Sequence, residues 1–215
     1  DLYFFMDICG KLLGSGHDLS VNDSKQITWN IRLMPSGELD YDNIRTAAEF
    51  AEAVGGADYA EVSETSSEVT LRRSVRLPRD ITMTGNFTID LNGFSVGSMS
   101  AKQDEEMILR SAKGEQKIIS SGSPYGAVTT PLEVSGGTLQ LENIEARKIN
   151  VESGKLELDS ADAETIFING GYAELNYATL IYYVRVTAGE VLCRSTWFER
   201  NSINDFVVSG GKVEI

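Results

Sequence analysis

Five glycines in the last third of the chain recur at nearly constant intervals. Gly137, Gly154, Gly171, Gly189 and Gly211 are 17, 17, 18 and 22 residues apart. A fixed period of this size marks an architecture of stacked units, each too small to bury its own apolar face. The residues around each glycine repeat as well. Five positions before it stand Leu132, Ile149, Ile166, Val184 and Phe206, and three before it Val134, Val151, Ile168, Val186 and Val208. Two positions after it come Leu139, Leu156, Ala173, Val191 and Val213, and four after it Leu141, Leu158, Leu175, Cys193 and Ile215.

Mostly polar residues, such as Gln140, Glu157, Glu174 and Glu214, separate the last two columns, which is the period of a strand with one buried face. A third set lies seven and nine residues past the glycine: Ile144 with Ala146, Ala161 with Ala163, Ala178 with Leu180, and Thr196 with Phe198. Each unit thus supplies three short strands, with no helical periodicity between them. The leucine and asparagine spacing of leucine-rich repeats is absent. The pattern predicts an all-β chain wound as a right-handed parallel β-helix, with coils stacked about 4.8 Å apart. Each coil would bury about six apolar side chains, at roughly 1.5–3 kcal/mol apiece before entropy. The repeat glycine is expected at a tight corner where φ is positive.

Upstream, Thr46-Ala47-Ala48-Glu49 reads as a capping box opening a short amphipathic helix that buries Phe50, Ala53 and Val54, with Gly55-Gly56 as its stop. Val69, Leu71, Val75 and Leu77, then Ile81 and Met83, then Phe87, Ile89 and Leu91 read as the first, less regular coils. The strand and turn Phe87-Thr88-Ile89-Asp90-Leu91-Asn92-Gly93-Phe94-Ser95-Val96, preceded by that helix and by Glu68-Val69-Thr70-Leu71, resembles the early coils of pectin-lyase-like β-helix domains of bacterial cell-surface proteins. The resemblance covers residues 44 to 215 and carries no catalytic residue over. It implies a β-helix domain at 44–215 of an exported surface protein. Residues 1–43 are left as an irregular cap or the end of a preceding module, with Ile27 to Leu33 alternating as a strand and Met34 to Gly37 as a turn.

With 32 acidic against 19 basic residues the net charge is −13, which repels nucleic acid and anionic lipid. No apolar run approaches the twenty residues of a membrane-spanning helix. Cys9 and Cys193, far apart in sequence, exclude a disulfide-rich scaffold and a four-cysteine zinc site. Because Val213 and Ile215 begin a further coil, more polypeptide is expected after Ile215, and the chain as given is expected to fray or self-associate at that end.

The fold also hosts lyases and glycosidases, so activity has to be read from residues. The single histidine, His17, lies outside the coils in a glycine-rich context, leaving no coil with a histidine base. Glu142 and Asp159, and Glu145 and Asp162, occupy successive coils as candidates for a glycosidase pair, yet outward positions of a soluble sheet are polar in any case. Arg147 and Lys148 suit a lyase base, but the neighbouring coil offers Glu164 and Thr165 and not a repeat of the motif. Glu157 and Glu174 stack in one column, and Lys155 relieves their repulsion without a bound cation. Asp90 and Asn92 read as turn residues. The candidate binding residues are aromatic: Phe167, Tyr172, Tyr177, Tyr182, Tyr183 and Trp197 fall within two coils, with Phe167 and Trp197 outward, the competing reading being that longer corner loops fold back and bury these rings as a satellite cluster. The expectation is a structural or adhesive module without catalytic residues, metal or cofactor, presenting one face to a glycan or a protein. The alternative is a polysaccharide lyase or glycoside hydrolase.

Overall fold

The computed structural model describes residues 19–21, 27–29, 39–63, 67–98, 106–198 and 205–215. They divide into two compact units, Asp1–Leu39 and Asp40–Ile215. In the first, Leu19–Val21 pairs antiparallel with Ile27–Trp29, the first three residues of the strand expected over Ile27 to Leu33, while Asn30 to Leu33 and Met34 to Gly37 lie outside the described residues.

The second unit is a parallel β-helix of about seven turns, built as one 18-stranded sheet folded around three faces. Face A stacks Glu68–Leu71, Phe87–Asp90, Glu115–Ile119, residues 138–142 and 155–159, Tyr172–Asn176, Glu190–Arg194 and Lys212–Glu214. Face B stacks Val75–Leu77, Ser95–Ser98, Gly126–Val128, residues 144–146, 162–163 and 179–180, and Trp197–Phe198. Face C stacks Ile81–Met83, Leu109–Ser111 and residues 132–134, 149–151, 166–168, 184–186 and 206–208.

The register follows the columns of the repeat. Leu132 pairs with Ile149, Ile149 with Ile166, Ile166 with Val184 and Val184 with Phe206; Leu139, Leu156, Ala173, Val191 and Val213 run likewise down face A. Leu132, Ile149, Ile166, Leu156, Leu158 and Leu175 are all fully buried, because each inward side chain lies between like residues of the coils on either side. The inward columns open at the last coil: Val208 is 49% exposed, Phe206 and Val213 are half-buried, and Ile215, beyond the last paired residue Glu214, is 89% exposed. No further strand lies over the ladder there among the described residues, so nothing turns Ile215 inward.

The opposite end is covered. The helix Ala47–Ala53 starts at Thr46, whose Oγ1 accepts the Glu49 N–H at 3.1 Å. Glu49 reaches one residue further back than a capping box requires, accepting the Arg45 N–H at 2.6 Å. Gly55 and Gly56, both at positive φ, end the segment as expected. Phe50 is fully buried with its ring 6.1 Å from that of Phe87, so the helix seals the first coils. Backbone edges are closed as well. Ala60–Val62 pairs antiparallel with Glu68–Leu71, and Tyr41 and Ile44 exchange backbone bonds with Thr82 at 2.8 Å each.

Two of the three corners of each coil form columns of their own. Between faces C and A sits the glycine column. Gly154, Gly171, Gly189 and Gly211 have φ between 69° and 83°, as expected, whereas Gly137 does not take positive φ. Space is short at Gly137 as well, where a Cβ would stand 2.6 Å from Ser111 Oγ and 3.0 Å from the Gly114 carbonyl oxygen and the Lys113 nitrogen. Between faces A and B lies a second left-handed column without glycine: Asn143, Ser160, Tyr177 and Ser195 have φ of 51–53°.

Candidate functional site

On face C, Phe167 stands between buried Ile166 and Ile168 and therefore points out of the sheet. In the next coil Tyr183 packs against it, ring centroids 5.6 Å apart and planes tilted by 53°. One coil before, Lys148 holds its Nζ 5.8 Å from the Phe167 centroid. Arg185, exposed and directly paired with Phe167, continues the column. The sheet produces this grouping in two steps. Parallel pairing sets Asn150, Phe167 and Arg185 in one outward column and Lys148, Thr165 and Tyr183 in the neighbouring one. The slope of the side chains then lets residues one coil apart touch. The result is an aromatic pair flanked by cations on a sheet whose backbone is hydrogen-bonded on both sides.

The other expected aromatic residues go elsewhere. Tyr172 faces outward on face A, with Lys155 Nζ 5.6 Å from its ring. Tyr177 occupies the left-handed corner between faces A and B and is 67% exposed. Trp197 pairs by its backbone with Thr179 on face B, in the column of Glu145 and Asp162. Tyr182 lies in a one-residue register shift, where Ile181 and Tyr182 together oppose Glu164. Six residues near each other in sequence are thus distributed over three faces and a corner, and among those whose side chains are described Phe167 and Tyr183 are the pair in ring contact.

The acidic candidates bend around the same corner. Glu142 pairs with Asp159 at the end of face A, and Glu145 with Asp162 at the start of face B. The left-handed residues Asn143 and Ser160 separate the two pairs, so the carboxylates diverge on either side of a ridge. Glu142 is held by an ion pair with Lys117. Arg147 is paired with Glu106 at 2.7 Å, and Lys148 neighbours Thr165. His17 and Cys9 lie outside the described residues. No group of three or more metal-ligating side chains that could hold an ion occurs among the described residues.

On face A the stacked Glu157 and Glu174 are neutralised within the protein. Lys155 pairs with Glu157 and lies 3.9 Å from Glu174, and Arg194 reaches Glu174 at 2.7 Å. The hydrogen bond to Glu157 raises the Lys155 pKa first of all, aided by the fields of both carboxylates and opposed by partial desolvation. Arg194, from the coil beyond, was not foreseen from sequence. It follows Cys193 by one residue and alternates outward. Cys193 itself is buried, and burial pushes its thiol pKa up against a smaller opposing hydrogen bond from Thr196.

Asp90 is a buried structural carboxylate. Its Oδ1 accepts the N–H groups of Asn92 at 2.8 Å and Ser121 at 2.9 Å, and its Oδ2 accepts the Ser121 hydroxyl at 2.5 Å. Asn92 donates to the Leu71 carbonyl at 3.2 Å, tying the first two coils together. Both act in the turn, as their sequence context predicts.

Sequence reading passed over Tyr125, which is 59% exposed. It precedes Gly126, which pairs with Ile144, so it occupies the same corner column as Asn143, Ser160 and Tyr177. Comparison of the chain with protein-family models, with curated proteins and with solved structures found no match in any of the three.

Proposed function

We propose that this chain is a non-catalytic structural or adhesive module of an exported bacterial surface protein, of the pectin-lyase-like β-helix kind, which binds a glycan or protein partner through face C. The observation that carries this reading is the Phe167–Tyr183 pair, flanked by Lys148 and Arg185 on a rigid outer sheet. Aromatic rings with adjacent cations supply stacking area and oriented charge at low entropic cost, because the ladder holds the backbone in place before any ligand arrives. The alternative of a carbohydrate-active enzyme is supported less, since the four candidate carboxylates face apart and one is already ion-paired.

A glycan array, followed by titration of its hits, tests this. Phe167→Ala is expected to weaken binding about five- to tenfold, the loss of one aromatic stacking contact and its area, with the melting temperature nearly unchanged. Release of reducing ends or unsaturated products from any polysaccharide, abolished by Asp159→Asn or Asp162→Asn, would replace the reading with the enzymatic one.

A further inference from the structure

Tyr125 and Tyr177 are the only exposed aromatic rings among residues whose side chains are described, and they stand in a single column on the ridge between faces A and B. Three coil steps separate them, through Asn143 and Ser160, which is about 14 Å at about 4.8 Å per step. The intervening corner residues are small and polar, so the two rings rise at either end of a low saddle. Tyr177 is also at φ 51°, a left-handed conformation that a bulky aromatic residue adopts at a cost and that Asn or Ser adopts more readily. The other residues of the left-handed column are those readier types. An exposed ring kept at a strained position contributes little to the fold that Asn could not contribute better.

The charges around the saddle have one sign. Asp159 on face A and Glu145 and Asp162 on face B border it, and none of the three forms an ion pair among the described residues. The nearby cations are engaged elsewhere: Lys117 with Glu142, Arg147 with Glu106 and Arg194 with Glu174. Aromatic faces beside unpaired carboxylates favour guanidinium or ammonium groups over neutral or anionic ones.

We infer that this ridge is a docking surface for a basic polypeptide segment in extended conformation, with cationic side chains four residues apart seated on Tyr125 and Tyr177. An extended chain rises about 3.3–3.4 Å per residue, so side chains i and i+4 leave the same face about 13–14 Å apart, matching the three coil steps between the two corner positions. Residue i+2 on that face lies over Ser160 and Asn143, within reach of Asp159 and Asp162. The site is separate from the aromatic pair of face C and stands or falls independently of it.

The test uses the whole chain and a labelled octapeptide of alternating arginine and threonine, followed by fluorescence anisotropy, with a glutamate–threonine octapeptide and a neutral cello-oligosaccharide as comparisons. The basic peptide is expected to bind, more weakly as salt is raised, and the acidic peptide not at all. Tyr177→Asn and Tyr125→Ser are each expected to weaken it about two- to fivefold, while the Asp159→Asn, Asp162→Asn double variant also flattens the salt dependence. Tyr177→Asn should melt at or above the temperature of the parent chain, which separates lost contact from lost fold. Absence of binding by the basic peptide overturns the proposal. So does binding that survives both tyrosine changes but fails in Phe167→Ala, which would move the peptide to face C. Binding of the neutral oligosaccharide that the tyrosine changes abolish would reassign the ridge to a glycan.

Discussion

The two left-handed corners of the coil place the same demand on φ and meet it with different residues. At the corner between faces C and A the column is glycine in every regular coil; at the corner between A and B it is Asn143, Ser160, Tyr177 and Ser195. Conformation alone does not explain the contrast, because φ is about 70–80° in one column and about 50° in the other, both in the region where a Cβ is disfavoured. Space does. A Cβ on Gly154, Gly171, Gly189 or Gly211 would stand 2.4–2.6 Å from the carbonyl oxygen of the glycine one coil earlier. At the other corner the side chains leave toward solvent, and Ser160, Tyr177 and Ser195 are exposed. Glycine is therefore required where coils approach one another backbone to backbone, and a left-handed bend without that approach tolerates a side chain.

The strongest test of this division sets the corners against the ladder between them. Leu158 is fully buried between Leu141 and Leu175, so Leu158→Asp is expected to cost more than about 4 kcal/mol, or to prevent folding, by burying an unpaired carboxylate. Glu157→Lys, one residue away and outward, loses the Lys155 ion pair and should cost less than about 1 kcal/mol. Thermal melts giving the reverse order would mean that the register is wrong. Next comes the glycine corner. Gly171→Ala combines a left-handed Cβ with a collision against the Gly154 carbonyl, and about 2–4 kcal/mol of destabilisation in urea titration is the expected outcome. The smallest effect belongs to the solvent corner, where Ser160→Gly relieves the left-handed strain but adds unfolded-state freedom, leaving a change under about 1 kcal/mol of either sign. If Gly171→Ala and Ser160→Gly proved equally mild, close approach of the coils would not be what selects glycine.

Much of this organisation is legible in the sequence, for a physical reason. A parallel ladder repeats each environment one coil further on, so inward columns must be apolar and the crowded corner must be glycine, and both recur at a readable period. The solvent corner was missed although it has a fixed place: Asn143, Ser160, Tyr177 and Ser195 each lie six residues past Gly137, Gly154, Gly171 and Gly189. An open corner constrains conformation without constraining side-chain type, so the column carries no common residue to notice. Tyr125 escaped even that count, because the segment Ser120 to Tyr125 lengthens its coil and shifts the offset.

The sequence by itself determined the three-stranded coil, the register of its ladders, the helix at Ala47–Ala53, the turn role of Asp90 and Asn92, and the abundance of aromatic residues around Phe167 to Trp197. Only the tertiary structure decided which of those rings meet. Phe167 and Tyr183 are sixteen residues apart and touch, while Tyr172, nearer to Phe167 in the chain, stands on another face. It also brought Arg194 to Glu174 beside the Lys155 that the sequence already places there, and set Tyr125 and Tyr177 on a single ridge. Periodicity along one chain records whether a side chain faces in or out, because water enforces that choice at every coil. Which outward side chains are neighbours depends on where the chain turns each corner, and a single inserted or bulged residue there moves a ring to a different face.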